Sequence, residues 1–160
     1  MAPSPDIRPD KALAIGTYGE AVAAYRYLVL AEKAPIEKDR DEFAAMADEE
    51  QDHKQRLQRL LMENYPDADF FLKPEDKELV VDGPRLLDVR DEATFAEAMH
   101  YILNSEWRTS QFYKKLSEHI SQRDLRALFQ ELAAEGEDHY RRLAQLARHA
   151  GVEASDAPAS

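Results

Sequence analysis

Glu50 and His53 are residues whose types and spacing could do chemistry. They lie three positions apart in the stretch FAAMADEEQDHKQRL, which runs from Phe43 to Leu57. Apolar residues recur there every three or four positions, which predicts a helix with one buried face. The acid and the imidazole fall on that face, within one helical turn of each other. Buried polar groups need partners, and an inward-facing Glu-x-x-His pair in a helix bundle is a known way to hold iron or manganese.

The chain contains a second copy of this stretch. The interval from His53 to His139 is 86 residues, and at that offset FQELAAEGEDHYRRL, residues 129–143, aligns with the first copy without a gap. The repeat lacks one of the acids, because Gly136 stands where the first copy has Glu50. The same interval relates two further pairs of chemically able residues: Glu20 with Glu106, and Tyr27 with Tyr113.

Composition limits the possible partners. The chain has 160 residues, enough for one domain with a real core. Its 21 Lys and Arg against 32 Asp and Glu give a net charge of −11, and no basic patch stands out, which argues against nucleic acid or an anionic membrane as partner. Cysteine is absent, which excludes disulfides, zinc fingers and cysteine-ligated iron. Because the sequence shows neither a signal peptide nor a membrane-spanning apolar stretch, we expect a cytoplasmic protein.

Four segments carry helical periodicity, and prolines and glycines separate them. Gly16 and Gly19 interrupt the first at a cost of roughly 1 kcal/mol each, which indicates close packing against a neighbour. The predicted helices run from Asp10, as N-cap, to about Ala34; from Asp39 or Asp41 to about Asn64; from a Thr94–Glu97 capping box to Ile120; and from Leu125 to about Leu146.

The second and third helices are joined by a long segment. It contains three prolines and Gly83, and Leu79-Val80-Val81 could form one brief extended piece. A segment this long can run the length of a helix and join two helices that point the same way. The predicted organisation is a flexible arm at residues 1–9, a four-helix bundle at 10–150 with its crossover at 65–93, and a disordered tail at 151–160.

The heights of the acids and imidazoles can be compared along the helices. With the first turn near residue 36, Glu20 lies about 16 residues before it and the Glu50–His53 pair about 15 after it, so their side chains reach nearly one level at 1.5 Å per residue. The same holds for Glu106 and His139 about the second turn. The fold class predicted is therefore an all-α, ferritin-like four-helix bundle with a buried polar site at mid-height.

This pattern resembles the rubrerythrin-like branch of the ferritin-like superfamily. The resemblance covers all four helices and implies a centre of two non-haem Fe ions, with Mn or Zn as possible substitutes, that reacts with peroxide or oxygen. It implies that Glu50 bridges the two metals and that the tyrosines support ligand carboxylates by hydrogen bonds. The other implied ligands are Glu20 and His53 for one metal, and Glu106 and His139 for the other; the implied hydrogen-bond donors are Tyr27 and Tyr113.

The sequence departs from the family pattern in two places. Gly136 replaces the second bridging Glu, and Thr109 stands where peroxidase members carry a further Glu. Glu135 is a candidate to replace the missing ligand, because it lies four residues before His139 near the same face. Its repeat partner Glu49 has no evident metal role.

Two classes of function follow. The first is a di-iron oxidoreductase that reduces peroxide or oxygen, or oxidises iron, with an external electron donor and a homodimeric assembly. The second is a ferritin-like helical module with a degenerate single-metal or metal-free site that acts in assembly. In the second case the acids and imidazoles form only a buried network, although three carboxylates against two imidazolium charges would leave a costly excess of negative charge.

Overall fold

The structure is a computed structural model that describes residues 7–68 and 71–154. All regular secondary structure in these ranges is α-helical, as predicted. Four helices of 25 to 28 residues form the bundle, and a fifth of 5 residues lies in the crossover. In chain order the helices are α1 (Pro9–Lys33), α2 (Glu37–Asn64), α3 (Pro74–Glu78), α4 (Glu92–His119) and α5 (Arg123–His149).

The start of α1 differs from the prediction that Asp10 is its N-cap. Pro9 occupies the first helical position and Arg8 is the N-cap. Proline suits that position because its fixed φ is already helical and its missing N–H would have no partner there. Asp10 lies in the first turn instead, where the Arg8 guanidinium pairs with it at 2.8 Å. In that position its negative charge interacts favourably with the positive end of the helix dipole.

Two other helices also begin at residues that differ from the predicted ones. Helix α2 begins at Glu37, before the predicted Asp39 or Asp41. Helix α4 begins at Glu92, before the predicted Thr94. The predicted Thr94–Glu97 capping box is wrong because Asp91 takes the N-cap position. Its Oδ1 accepts a hydrogen bond from the Thr94 backbone N–H at 2.9 Å, and the Thr94 hydroxyl accepts one from the Asp91 N–H at 2.9 Å. Thr94 is thus the third helical residue of the box, not its first member.

The long helices pack as two pairs. Residues 34–36 join α1 to α2 and residues 120–122 join α4 to α5, so each pair is antiparallel. The apolar core divides into two clusters, and in α2 the division is sharp: Phe43 and Met46 belong to one cluster and Leu57 to the other. The residues between them, Glu50 and His53, are buried but polar. The bundle thus has a polar level between two apolar ones.

The crossover lies against this polar level. The suggested extended piece at residues 79–81 is not a strand: Leu79 is in the right-handed helical region and caps α3. Val80 and Val81 are buried. A Cβ on Gly19 would lie 3.0 Å from the Val80 Cβ, so glycine in α1 is what lets the crossover approach this closely.

The chain leaves the bundle after α5 through Gly151, whose φ is +78°. Glycine takes this conformation without steric cost and commonly ends helices. Val152 then turns back and packs on the core, with its N–H donating to the Ala147 carbonyl at 2.7 Å. The predicted disordered tail is therefore wrong for its first residues; residues 155–160, like residues 1–6 of the predicted arm, lie outside the described part. None of the described helices is long and apolar enough to cross a membrane.

Candidate metal centre

Five side chains meet at the polar level of the bundle. Each long helix contributes at least one of them, and α2 contributes two because Glu50 and His53 lie one turn apart. All five are less than a tenth exposed. They are the five residues that the sequence pattern placed at one height: Glu20, Glu50, His53, Glu106 and His139. Their role as ligands stays a prediction, but the structure brings them together.

These side chains form two groups that could each hold a metal ion. One contains Glu20, Glu50 and His53, and the other contains Glu50, Glu106 and His139. Within each group the potential ligand atoms all lie within 4.8 Å of one another. Glu50 belongs to both groups, which is the position that a bridging carboxylate between two metals must occupy.

The two tyrosines hold the outer carboxylates in place. The Tyr27 hydroxyl donates to Glu106 Oε1 at 2.6 Å, and the Tyr113 hydroxyl donates to Glu20 Oε1 at 2.8 Å. Each bond crosses between α1 and α4, so each tyrosine supports the acid of the other helix pair. Gly16 explains part of this arrangement, since a Cβ there would lie 3.0 Å from the Tyr113 hydroxyl.

The two imidazoles each face carboxylates on both sides. Nδ1 of His53 lies 3.6 Å from Glu50 Oε1, and Nδ1 of His139 lies 2.7 Å from the same oxygen. The opposite nitrogens, Nε2, face outward: that of His53 lies 2.6 Å from Glu135 and that of His139 lies 3.0 Å from Glu49. An outer carboxylate of this kind fixes the ring orientation and leaves Nδ1 for a metal.

Glu49 is a residue of this candidate site that sequence reasoning missed. The signal was present, because Glu49 and Glu135 are repeat partners at the 86-residue offset. The structure does not bring Glu135 into either ligand group, and places it on the outer nitrogen of His53 instead. The two outer acids differ in one respect: Glu49 Oε2 also accepts a hydrogen bond from Arg142 Nη1 at 3.1 Å.

The positions that depart from the family pattern are both packed. A Cβ on Gly136 would lie 3.0 Å from the Ser110 Cβ, so α4 and α5 approach closely where a second bridging acid would start. The Thr109 hydroxyl donates to the Val80 carbonyl at 3.1 Å and so fastens the crossover. No acid fills either place among the described residues.

The electrostatics of the site reflect three buried acids beside two imidazoles. Burial raises the pKa of Glu20 to about 8, and the nearby Glu50 carboxylate adds to the rise. Burial also raises the pKa of Glu50, but interactions with Glu20 and both imidazoles outweigh it and lower the pKa. Because these two acids interact strongly, they share proton binding rather than titrate separately.

The nearby carboxylates raise the pKa of both imidazoles and so favour their protonated form. Burial lowers the pKa of His53, yet the carboxylates of Glu20 and Glu50 outweigh it and raise the pKa to about 11. For His139 the same balance, with Glu106 and Glu50, gives about 12. Burial raises the pKa of both tyrosines well above the ordinary value, so they remain hydrogen-bond donors.

The residues present fit a metal centre. Carboxylate oxygens and imidazole nitrogens are ligands that suit iron, manganese and zinc. His139 Nδ1 is buried and makes no hydrogen bond of good geometry despite its short distance to Glu50. A buried polar atom without such a bond is costly, and a metal ion between these groups would satisfy it.

Four-helix bundles in which facing helices direct carboxylates and imidazoles into the core are the architecture of the ferritin-like proteins. The family model described as Rubrerythrin matches residues 11–147, and the chain belongs to that family. A solved structure, described as a hypothetical protein from Pyrococcus furiosus, superposes with a TM-score of 0.75 over 91% of each chain. At 21% sequence identity this similarity shows the fold alone. No curated protein matches the chain significantly.

Proposed function

We propose that this protein is a dinuclear, non-haem iron oxidoreductase that reduces peroxide or oxygen. The observation that carries the proposal is that two buried ligand groups share Glu50. When iron is bound there, the pair of ions supplies the two electrons that peroxide needs, one from each ion. Oxidation of iron by oxygen at the same site is the related activity that this geometry also supports.

The protein's own residues would hold, orient and isolate the centre. Glu20 and His53 from one helix pair, and Glu106 and His139 from the other, face each other across Glu50. The tyrosine hydroxyls fix the rotamers of the outer carboxylates, and the apolar clusters above and below keep bulk water from the ligands. A rigid first set of ligands supported by a second set of hydrogen bonds is what a functional metal site requires.

Charge balance supports a cation in this place. Three buried carboxylates face two imidazoles, so even with both rings protonated the group keeps a negative charge or an extra proton. Divalent ions would neutralise that charge and release the protons. The proposal further includes an external electron donor for turnover and a symmetric homodimer, which is common for such bundles. It also includes the cytoplasmic location expected from the sequence.

Metal content after loading tests the proposal. Wild-type protein loaded anaerobically with Fe(II) and freed of excess metal should contain about two ions per chain. Glu50→Ala should lose both or keep one, because Glu50 belongs to both groups. Glu131→Ala is the control, since Glu131 is half-exposed and pairs with Arg56 away from the two groups. Two ions retained in Glu50→Ala, or none in the wild type, would contradict the proposal.

A reaction assay distinguishes an oxidoreductase from a helical module with a degenerate metal site. Stopped-flow spectroscopy of the loaded protein should show fast oxidation on mixing with hydrogen peroxide or oxygen. The close approach of Gly136 to Ser110 favours the alternative of a degenerate site, because α4 would have to shift before a second bridging acid could stand there. One ion per chain without oxidation would support that alternative, and a helical module that acts in assembly would then be the better description.

A further inference from the structure

A small cavity lies on the carboxylate side of the metal centre, beneath the crossover. Its volume is about 10 Å³. A cavity of this size has room for about one water molecule. Its walls come from α1, α2, α4 and the crossover, and include Glu20, Glu50, Glu106, Arg26, Thr109 and Val80. The three acids of the metal centre therefore share this cavity with a buried arginine.

Arg26 is unusual because it is 1% exposed and, within residues 7–68 and 71–154, none of its hydrogen bonds is to a carboxylate. Its Nη1 donates to Ser105 Oγ at 2.9 Å, and its Nη2 donates to the carbonyls of Asp82 and Pro84 at 2.7 and 2.6 Å. The two bonds from Nη2 hold the crossover against α1. The Nε atom, which carries one further N–H donor, is buried and has no hydrogen-bond partner in the described part of the chain.

We infer that the cavity is a binding site for one water-sized oxygen ligand, held by the Arg26 Nε–H beside the metal-binding carboxylates. Two independent observations agree: a buried donor without a partner, and a space of one water molecule lined by the same residue. Buried waters are found where they satisfy such polar groups. The occupant is a hydrogen-bond acceptor, because the guanidinium can only donate.

The site lies on one face of the centre only. At the 86-residue offset Phe112 replaces Arg26, so the second helix pair has no equivalent donor. The crossover closes the cavity with Val80, whose carbonyl accepts the Thr109 hydrogen bond and whose side chain lies close to Gly19. On the proposed function, on which this step rests, the site is where a small oxidant or its water product approaches the ligands, and Arg26 is its positioning residue.

Nuclear magnetic resonance of the metal-free or Zn(II)-loaded protein tests the site without any reaction. The Arg26 Nε–H resonance, assigned by its loss in Arg26→Lys, should show a rotating-frame Overhauser effect to water. Val80→Ile adds a methyl group to the cavity wall and should abolish the effect. Val89→Ile is the matched control, because Val89 is also a buried crossover valine but belongs to the other apolar cluster. Val81→Ile is the second filling variant if Val80→Ile does not fold.

A crystal structure gives a second readout, with an oxygen density about 3 Å from Arg26 Nε in the wild type and in Val89→Ile. No density and no Overhauser effect in the wild type would overturn the binding site. In Fe(II)-loaded protein, Val80→Ile should slow single-turnover oxidation by peroxide by about tenfold, while Val89→Ile should not. An unchanged rate in Val80→Ile would overturn the role in access. A wild-type protein that does not react with peroxide or oxygen would refute the proposed function, and the Overhauser result would still decide the site.

Discussion

Metal binding to this protein should release about three protons per chain at pH 7. In the metal-free fold the pKa of His53 is about 11 and that of His139 about 12, so both rings are protonated. Each ring must give up one proton before its Nδ1 can bind a metal. The pKa of Glu20 is about 8, so this buried acid also carries most of a proton at pH 7 and loses it on ligation.

The sign of the pH dependence follows from this count. The metal-free protein binds these protons and the loaded protein does not, so the apparent metal affinity rises with pH. The number released should fall from about three towards two as the pH passes the Glu20 pKa of about 8, because Glu20 is then already ionised. Both imidazoles stay protonated through that range, since their pKa values lie well above it.

Isothermal titration calorimetry measures the released protons directly. Zn(II), which has no redox chemistry, is titrated at one pH into buffers of different ionisation enthalpy, and the slope of heat against that enthalpy gives the proton number. Glu20→Gln should release about two protons, because it removes one titrating group. Glu131→Gln, in the exposed pair with Arg56, should behave as the wild type. Fewer than one proton released by the wild type would show that the imidazoles are neutral and refute the reasoning.

Three further predictions concern single contacts. Tyr113→Phe removes the 2.8 Å hydrogen bond to Glu20 and should weaken metal binding by about 10- to 100-fold in chelator competition; an unchanged affinity would show that the hydroxyl does not orient the acid. Gly136→Glu should lower the free energy of unfolding, measured in urea, by about 1–3 kcal/mol because its Cβ would lie 3.0 Å from the Ser110 Cβ. Adding Ser110→Gly to that variant should recover part of the loss, and no recovery would show that the clash lies elsewhere. Leu143→Ala should cost about 2–5 kcal/mol in the same assay, since Leu143 is fully buried, and a loss below that range would show that the core can collapse around the cavity.

The two outer acids, Glu49 and Glu135, have different arginine contacts. Glu49 shares its oxygen with Arg142, while Glu135 is not bonded to the equivalent Arg56, which pairs with Glu131. A carboxylate that is partly neutralised by a guanidinium is a weaker hydrogen-bond acceptor for the N–H of the imidazole beside it. On the proposed function, the two metal positions should therefore differ in ligand character, although the sequence repeat relates them.

Much of the fold was determined by the sequence alone. The three-and-four spacing of apolar residues predicts the long helices because only a helix brings such residues to one face. The 86-residue repeat with Glu50-x-x-His53 predicts the polar level, because residues at equal distances from a tight turn reach equal heights in an antiparallel pair. This reasoning depends only on helix geometry, which is local and regular.

The details that depend on contacts between distant segments were decided by the tertiary structure. The start of α4 was mispredicted because Asp91 and Thr94 compete for the same cap, and sequence preferences separate them by too little. The roles of Glu49 and Arg26 depend on which atoms of another helix or of the crossover lie within hydrogen-bond distance. Helix periodicity fixes the face on which a side chain lies, but only packing fixes its partner, because a shift of 1 Å between helices makes or breaks a hydrogen bond.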